Sequence, residues 1–324
     1  MPLFTKDDLA AAADLVHQQV MPTPQYAWPL LNEAAGCELV LKHENHLPTG
    51  AFKVRGGITF MDWLKRTHPD VPGIITATRG NHGQSQARAA TQAGLRCVIY
   101  VPEGNSVEKN AAMASFGAEV VVHGPDFDVA REEAFRVADE TGLFPVPPYH
   151  PELVRGVATY AYELFTARPD LDTVYVPIGV GSGICGLITA RDALGLTTDI
   201  VGVVSDGAPA VKLSVEAGRI CNTDRVNTFA DGMAVRVVAP EPFEIYAKGA
   251  ARIVSVSDDD VAEAMRLVYR TTHNVAEGAG AASVAAALQE KDVNAGRQVA
   301  AILCGGNVDT DVFATVLAGK TPWP

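Results

Sequence analysis

One lysine in this chain sits among residues that do not suit a surface cation. In HLPTGAFKVRGG, residues 46–57, Lys53 follows Thr49-Gly50-Ala51-Phe52 and precedes Val54-Arg55-Gly56-Gly57. Small and apolar neighbours before it and glycines behind it describe a buried lysine that another group approaches closely. Burial weakens a lysine's preference for the charged form and makes its amine a usable nucleophile and base. A second stretch, IGVGSGICG (178–186), follows a predicted strand and opens a predicted helix. Gly179, Gly181 and Gly183 bare backbone N–H groups there, and the helix N-terminus adds positive potential, which suits a phosphate. A dinucleotide reading stays open, because Asp206 lies after the next strand, where such a site keeps its ribose acid; plain packing is a further alternative. Against the nucleotide, G-x-G-x-G is not G-x-G-x-x-G, no P-loop spacing occurs, and Lys53 is left without a task. A third stretch, TRGNHGQS (78–85), joins a strand to a helix; Asn81 can donate a hydrogen bond and the glycines permit close approach, as a carboxylate or a ring oxygen would need. Taken alone it could be a capped turn. LCGGN (303–307) ends a strand, where open α/β sheets place ligands, although Cys304 by itself reads as a small buried hydrophobe.

Alternating strands and helices must position these residues. Thr5-Lys6-Asp7-Asp8 is a capping-box start, predicting a helix to about Val20. Strands are predicted at Glu38–Lys42, GIITAT (73–78), RCVIYVP (96–102), AEVVVHG (118–124), DTVYVPIG (172–179), DIVGVVS (199–205) and QVAAILCGG (298–306). Helices are predicted after TRGNHG, over Ser106–Phe116, over DFDVAREEAFRVADETG, after the glycine turn, and from Ser257-Asp258-Asp259-Asp260, whose acids favour a helix N-terminus. Such alternation, with β-branched strands, predicts an α/β protein with two open parallel sheets covered by helices. The expected division is a smaller unit at 52–145 and a larger one from 1–51 and 146–324, with the Pro-rich FPVPPYHP (144–151) as the crossing point.

Composition narrows the classes of function. With 48% hydrophobic and 20% charged residues in 324, the chain reads as an ordinary globular protein. A net charge of −12 argues against nucleic acid or an anionic membrane as partner. No apolar run is long enough to span a membrane, and MPLFTKDDLAAAADL lacks a basic region followed by an apolar core, so no signal peptide is expected. The five cysteines are scattered without a C-x-x-C pair, which predicts reduced thiols in a cytoplasmic protein.

Together the four stretches have a recognisable order. PTGAFKVRGG resembles P-T-G-S-F-K-x-R-G-A, TRGNHGQ resembles S-[SA]-G-N-H-[GA]-Q, and FADGMAV (229–235) resembles A-D-G-[IV]-A-V, patterns of the fold type II pyridoxal-phosphate enzymes and, within them, the serine/threonine dehydratase and serine racemase family. The likeness runs from PTPQ (22–25) to CGGN. It implies a tryptophan synthase β-like fold, pyridoxal 5'-phosphate as cofactor and a homodimer. Lys53 would hold the cofactor covalently and act as base. Gly179, Val180, Gly181, Ser182 and Gly183 would cradle its phosphate, Asn81 would bond the ring's 3' oxygen, Phe52 would pack on the ring, and Cys304 would lie beside the pyridine nitrogen. Thr78, Arg79, Gly80 and His82, with Asn81, would surround the substrate's α-carboxylate. The implied reaction is α,β-elimination, an ammonia-lyase converting a threonine- or serine-like β-hydroxy-α-amino acid to a 2-oxo acid and ammonia. A β-replacement enzyme is the alternative with the same cofactor, and an NAD-dependent oxidoreductase the alternative without it.

Several positions depart from the family pattern. Arg79 stands where the racemases have the serine that is their second base; an arginine stays protonated, so little racemisation is expected. Arg79 could instead meet a second acidic or polar group on the substrate. Ala51 replaces the usual serine, GVAT (156–159) replaces G-Q-G-T, and AEGAGAA (276–282) keeps Glu277 without the proline after it. These changes open the substrate to a bulkier or acidic 3-hydroxy amino acid, such as 3-hydroxyaspartate or 3-phenylserine. Arg225-Val226-Asn227-Thr228 lacks the glutamate that accompanies the metal of some relatives, so no metal ligand is named and activation by Mg, Ca or K stays open; Asp231 reads as structural. Only 17 residues follow CGGN, and the expectation is no C-terminal regulatory domain and a degradative role.

Overall fold

A computed structural model describes residues 2–323. Ten strands form two sheets. They are β1 (Gln25–Ala27), β2 (Glu38–His43), β3 (Gly73–Ala77), β4 (Arg96–Val101), β5 (Glu119–Val122), β6 (Phe144–Pro145), β7 (Thr173–Pro177), β8 (Asp199–Ser205), β9 (Arg252–Val256) and β10 (Gln298–Leu303). The larger sheet has the order β1-β2-β10-β7-β8-β9, the smaller β5-β4-β3-β6. All pairings are parallel except β1 with β2. The central strands are continuous apolar runs because helices cover both faces.

The expected strands all form, and their helices begin where capping predicts. Thr5 and Asp8 make a capping box, as do Ser257 and Asp260. The first helix ends at His17, short of Val20. Three strands were not anticipated, β1, β6 and β9. β1 is three residues long among prolines, and β9 is a sheet-edge strand whose burial follows no clean alternation. The Pro-rich stretch expected as a crossing contributes β6, a two-residue edge strand, where a proline costs no ladder bond. Among the described residues no helix is long and apolar enough to cross a membrane.

The helix Lys53–Thr67 begins at the singled-out lysine and packs into two clusters, one with the first helix and one in the small sheet's core. Val54 and Ile58 pack with Val16, Val20 and Leu47, while Phe60, Met61 and Leu64 pack with the small sheet's Ile74, Cys97 and Ile99. It crosses the helix Pro151–Ala167 at backbone contact. A Cβ on Gly156 would overlap the Arg55 carbonyl oxygen, and one on Gly56 would lie 2.7 Å from that of Leu153. Beside this crossing lies a buried ionic network. Arg55 donates from Nε to Glu44 at 2.7 Å and from Nη1 to Glu163 at 2.6 Å and Thr159 at 3.0 Å. Lys42 donates to Glu163 at 2.5 Å and to the Thr23 carbonyl at 3.0 Å. Arg55, Lys42 and Glu44 are fully buried, and two cations against two carboxylates leave no net charge in the core.

Burial alone would raise the Glu163 pKa, but Arg55 and Lys42 beside it bring the carboxyl down to about 2 from 4.5. A carboxyl with a depressed folded-state pKa stabilises the fold above its unfolded value and loses that contribution as pH falls. We therefore expect Glu163→Gln to cost about 3–5 kcal/mol at neutral pH, the usual effect of breaking one arm of a buried ion pair. In denaturant melts, the difference from the parent chain should shrink as pH falls from about 4.5 to about 2.

Candidate active site

The loop before Lys53 is zipped to the end of β10. Ala51 pairs with Gly305 in an antiparallel bridge, Phe52 N–H donates to the Cys304 carbonyl at 3.0 Å, and Gly306 N–H donates to that of Gly50 at 2.9 Å. These bonds bring Cys304 beside Lys53. The Lys53 Nζ lies 4.9 Å from the centre of the Phe52 ring. Its side chain is half-buried. Desolvation is the largest influence on the amine and pushes its pKa down. Burial pushes the Cys304 thiol well up, so it is neutral at ordinary pH.

The turn at 78–82 follows β3, and its helix runs Asn81–Gln92. Ser85 Oγ donates to the Lys53 carbonyl at 2.6 Å, tying this helix to the lysine. Thr78 is buried and accepts from Gly80 N–H at 3.2 Å. Asn81 Nδ2 donates to Glu277 at 2.8 Å, and its Oδ1 accepts from Asn307 Nδ2 at 2.7 Å. His82 Nε2 is buried with no partner among the described residues. Burial, reinforced by Lys53, brings the His82 pKa to about 3, so the ring is neutral. Arg79 is exposed and makes no ion pair among the described residues. Lys109 crosses Gly80 closely and pairs with Asp231 at 2.6 Å.

The glycine turn follows β7, next to β10, and opens the helix Ser182–Ala193. Gly181 has φ +120°, and a Cβ there would lie 2.8 Å from Pro242 Cβ; a Cβ at Gly179 would overlap the Gly232 carbonyl. Only glycine fits both positions. No side chain caps this helix, so its first N–H groups stay available. Tyr160 donates to the Gly183 carbonyl at 2.9 Å, and its ring meets Phe52 edge-on at 6.1 Å. A Cβ on Gly183 would lie 3.8 Å from Phe52 Cζ, so Phe52 bridges the lysine loop and the glycine turn.

Thus the structure brings Lys53, Phe52, Asn81, His82, Cys304 and the glycine turn to one cleft, with Arg79 at its exposed side. An amine of lowered pKa, uncapped helix N–H groups and an unpartnered buried imidazole are a donor set that fits a phosphorylated aldehyde. Sequence reasoning left three contributors without a role. Glu277 and Asn307 were quoted within their motifs, but only their mutual bonds with Asn81 reveal a task; Tyr160 carried no signal, because a helix tyrosine looks like core.

The family described as "Pyridoxal-phosphate dependent enzyme" matches residues 16–305. The chain belongs to that family. L-threonine ammonia-lyase of Thermotoga maritima is 32% identical over 97% of this chain and 78% of its own length. L-threo-3-hydroxyaspartate ammonia-lyase of Saccharomyces cerevisiae is 30% identical over 99% of this chain and 98% of its own length. The processed form of threonine deaminase isoform 2 from Solanum lycopersicum superimposes with a TM-score of 0.89 at 29% identity, covering 98% and 96% of the two chains. This enzyme is therefore a pyridoxal-phosphate dependent ammonia-lyase family member of fold type II, and the dinucleotide reading of its glycine turn falls away.

If the glycine turn is the phosphate cradle, Gly181→Ala should weaken pyridoxal phosphate binding by about tenfold or more, through strain at positive φ and a displaced anion-binding N–H. Titration of the cofactor's absorbance measures it, and pyridoxal without phosphate should lose far less.

Proposed function

We propose that this enzyme eliminates water from a β-hydroxy-α-amino acid of the threonine or serine kind, and that hydrolysis of the released enamine returns one water and frees ammonia, giving a 2-oxo acid. The observation that carries the reading is the half-buried Lys53 amine, its pKa lowered by desolvation, in one cleft with two anion-suited turns. Pyridoxal phosphate, when bound, supplies the electron sink that acidifies the substrate's Cα–H.

The chain's own residues do the rest. Gly179, Val180, Gly181, Ser182 and Gly183 hold the phosphate on bare N–H groups at a helix N-terminus. Phe52 packs the ring and Asn81 donates to its 3' oxygen. Cys304 would lie beside the ring nitrogen as a neutral thiol, which would not force protonation there as a carboxylate would, and that would favour quick loss of a β-substituent. Thr78, Gly80, Asn81 and His82 hold the substrate's carboxylate. Lys53 Nζ takes the Cα proton, since a lysine less inclined to stay charged is the better base.

One observation favours an acidic substrate as a second reading. Arg79 adjoins the carboxylate turn, is exposed and has no ion partner among the described residues, so its guanidinium is available to a second carboxylate. The yeast relative named for L-threo-3-hydroxyaspartate is consistent with that choice.

The test is a visible spectrum with pyridoxal phosphate, borohydride trapping, and a panel of 3-hydroxy amino acids. We expect a lysine-bound cofactor band, label on Lys53, and a fall in oxo-acid release of about 10³-fold or more in Lys53→Ala. A chain that stays colourless sinks the reading. Arg79→Ala should lower kcat/KM for 3-hydroxyaspartate by about tenfold or more relative to threonine, as loss of a charged hydrogen bond would; an unchanged ranking leaves threonine or serine as the substrate.

A further inference from the structure

Asn81 is an amide, and an amide can present either end. We propose that Asn307 and Glu277 are positioning residues that lock Asn81 with its N–H side turned to the cofactor, and that the Thr49 backbone carbonyl sets the direction of the whole chain of bonds. The proposal rests on the cofactor reading above.

The argument is a count of donors and acceptors. A backbone carbonyl only accepts, so the Asn307 atom 2.8 Å from Thr49 O must be the Nδ2 donor. The same Nδ2 lies 2.7 Å from Asn81, and with a donor facing it, the Asn81 atom there must be the acceptor Oδ1. Both Asn307 amide hydrogens are then used. Asn81 Nδ2 is left on the other side, 2.8 and 3.1 Å from the two oxygens of Glu277. One N–H directed between those oxygens leaves the second free for an oxygen of the ring. Turning Asn81 over would set Oδ1 against the carboxyl oxygens and Nδ2 against the Asn307 donor, losing both bonds at once. The anchor is closely built. A Cβ on Gly50 (φ +65°) would overlap Asn307 Oδ1, so the glycine of P-T-G-A makes room for the asparagine of C-G-G-N. Glu277 is itself buried, and its backbone N–H donates to the Gly305 carbonyl at 3.1 Å, on the same strand end.

Asn307→Asp keeps the shape and removes the donors. Its dissociation constant for pyridoxal phosphate should exceed the parent's by about tenfold or more near pH 8, the effect of a misplaced hydrogen bond to a polar group. The ratio should shrink as pH falls through about 4, the ordinary aspartate range, because the new carboxyl, once protonated, donates to Asn81 again. A ratio near one at both pH values, or a large ratio that pH does not change, overturns the proposal. Asn307→Ala carries the test if the aspartate variant does not fold: it should weaken pyridoxal phosphate by about tenfold yet leave the 3-deoxy analogue, which has no ring oxygen for Asn81, bound as in the parent. Equal weakening of both ligands overturns the proposal. If the parent chain itself shows no lysine-bound band, the cofactor reading fails; a parent that binds, with variants matching it, removes this proposal alone.

Discussion

The site depends on a guanidinium buried between carboxylates of two distant segments. Arg55 follows Lys53 by two positions in one helix, about 200° around its axis, so the two side chains leave opposite faces. Held by Glu44 after β2 and by Glu163 on the neighbouring helix, Arg55 fixes the helix's rotation and thereby the direction of Lys53. Burying such a charge is costly unless every donor is met. Here Thr159 and Thr23 take the remaining donors, and Lys42 balances the second carboxylate. The glycines at the Gly56/Gly156 crossing let the two backbones approach closely enough for these bonds to close.

Topology does the gathering. The TRGNHG turn leaves the C-terminal end of β3 in one sheet; the glycine turn and CGGN leave the ends of β7 and β10, adjacent strands of the other. Ligands bind parallel sheets at such ends, where helix N-termini converge. The lysine helix packs into the small sheet's core and against the first helix, and Ser85 ties it to the helix after β3.

Electrostatics then divides the cleft. Desolvation disfavours charge on Lys53, His82 and Cys304, and it pushes the Glu277 carboxyl up as well, although Lys109 and the Asn81 amide draw it back. A site whose groups are held near neutrality can exchange protons and receive a charged substrate without first breaking strong ion pairs. Arg79 lies exposed beside these groups.

The motifs alone determined a great deal. Lys53 among small residues, Asn81 after a strand, the glycines at 179–183 and the strand end at Cys304 were legible because each is local: a spacing, a cap or a turn that only certain residues adopt. The same holds for the α/β class, since β-branched runs alternating with capped helices specify it locally. What no local pattern contained was every relation between distant residues. The Arg55 network joins positions more than a hundred residues apart, Asn307 reaches Asn81 across 226, and Glu277 reaches it across 196. β1, β6 and β9 were missed because short edge strands owe their existence to the neighbour they pair with. The sequence by itself singled out which residues have the chemistry for a site; the tertiary structure decided which way each faces, because a hydrogen bond's direction belongs to the pair and to neither partner alone.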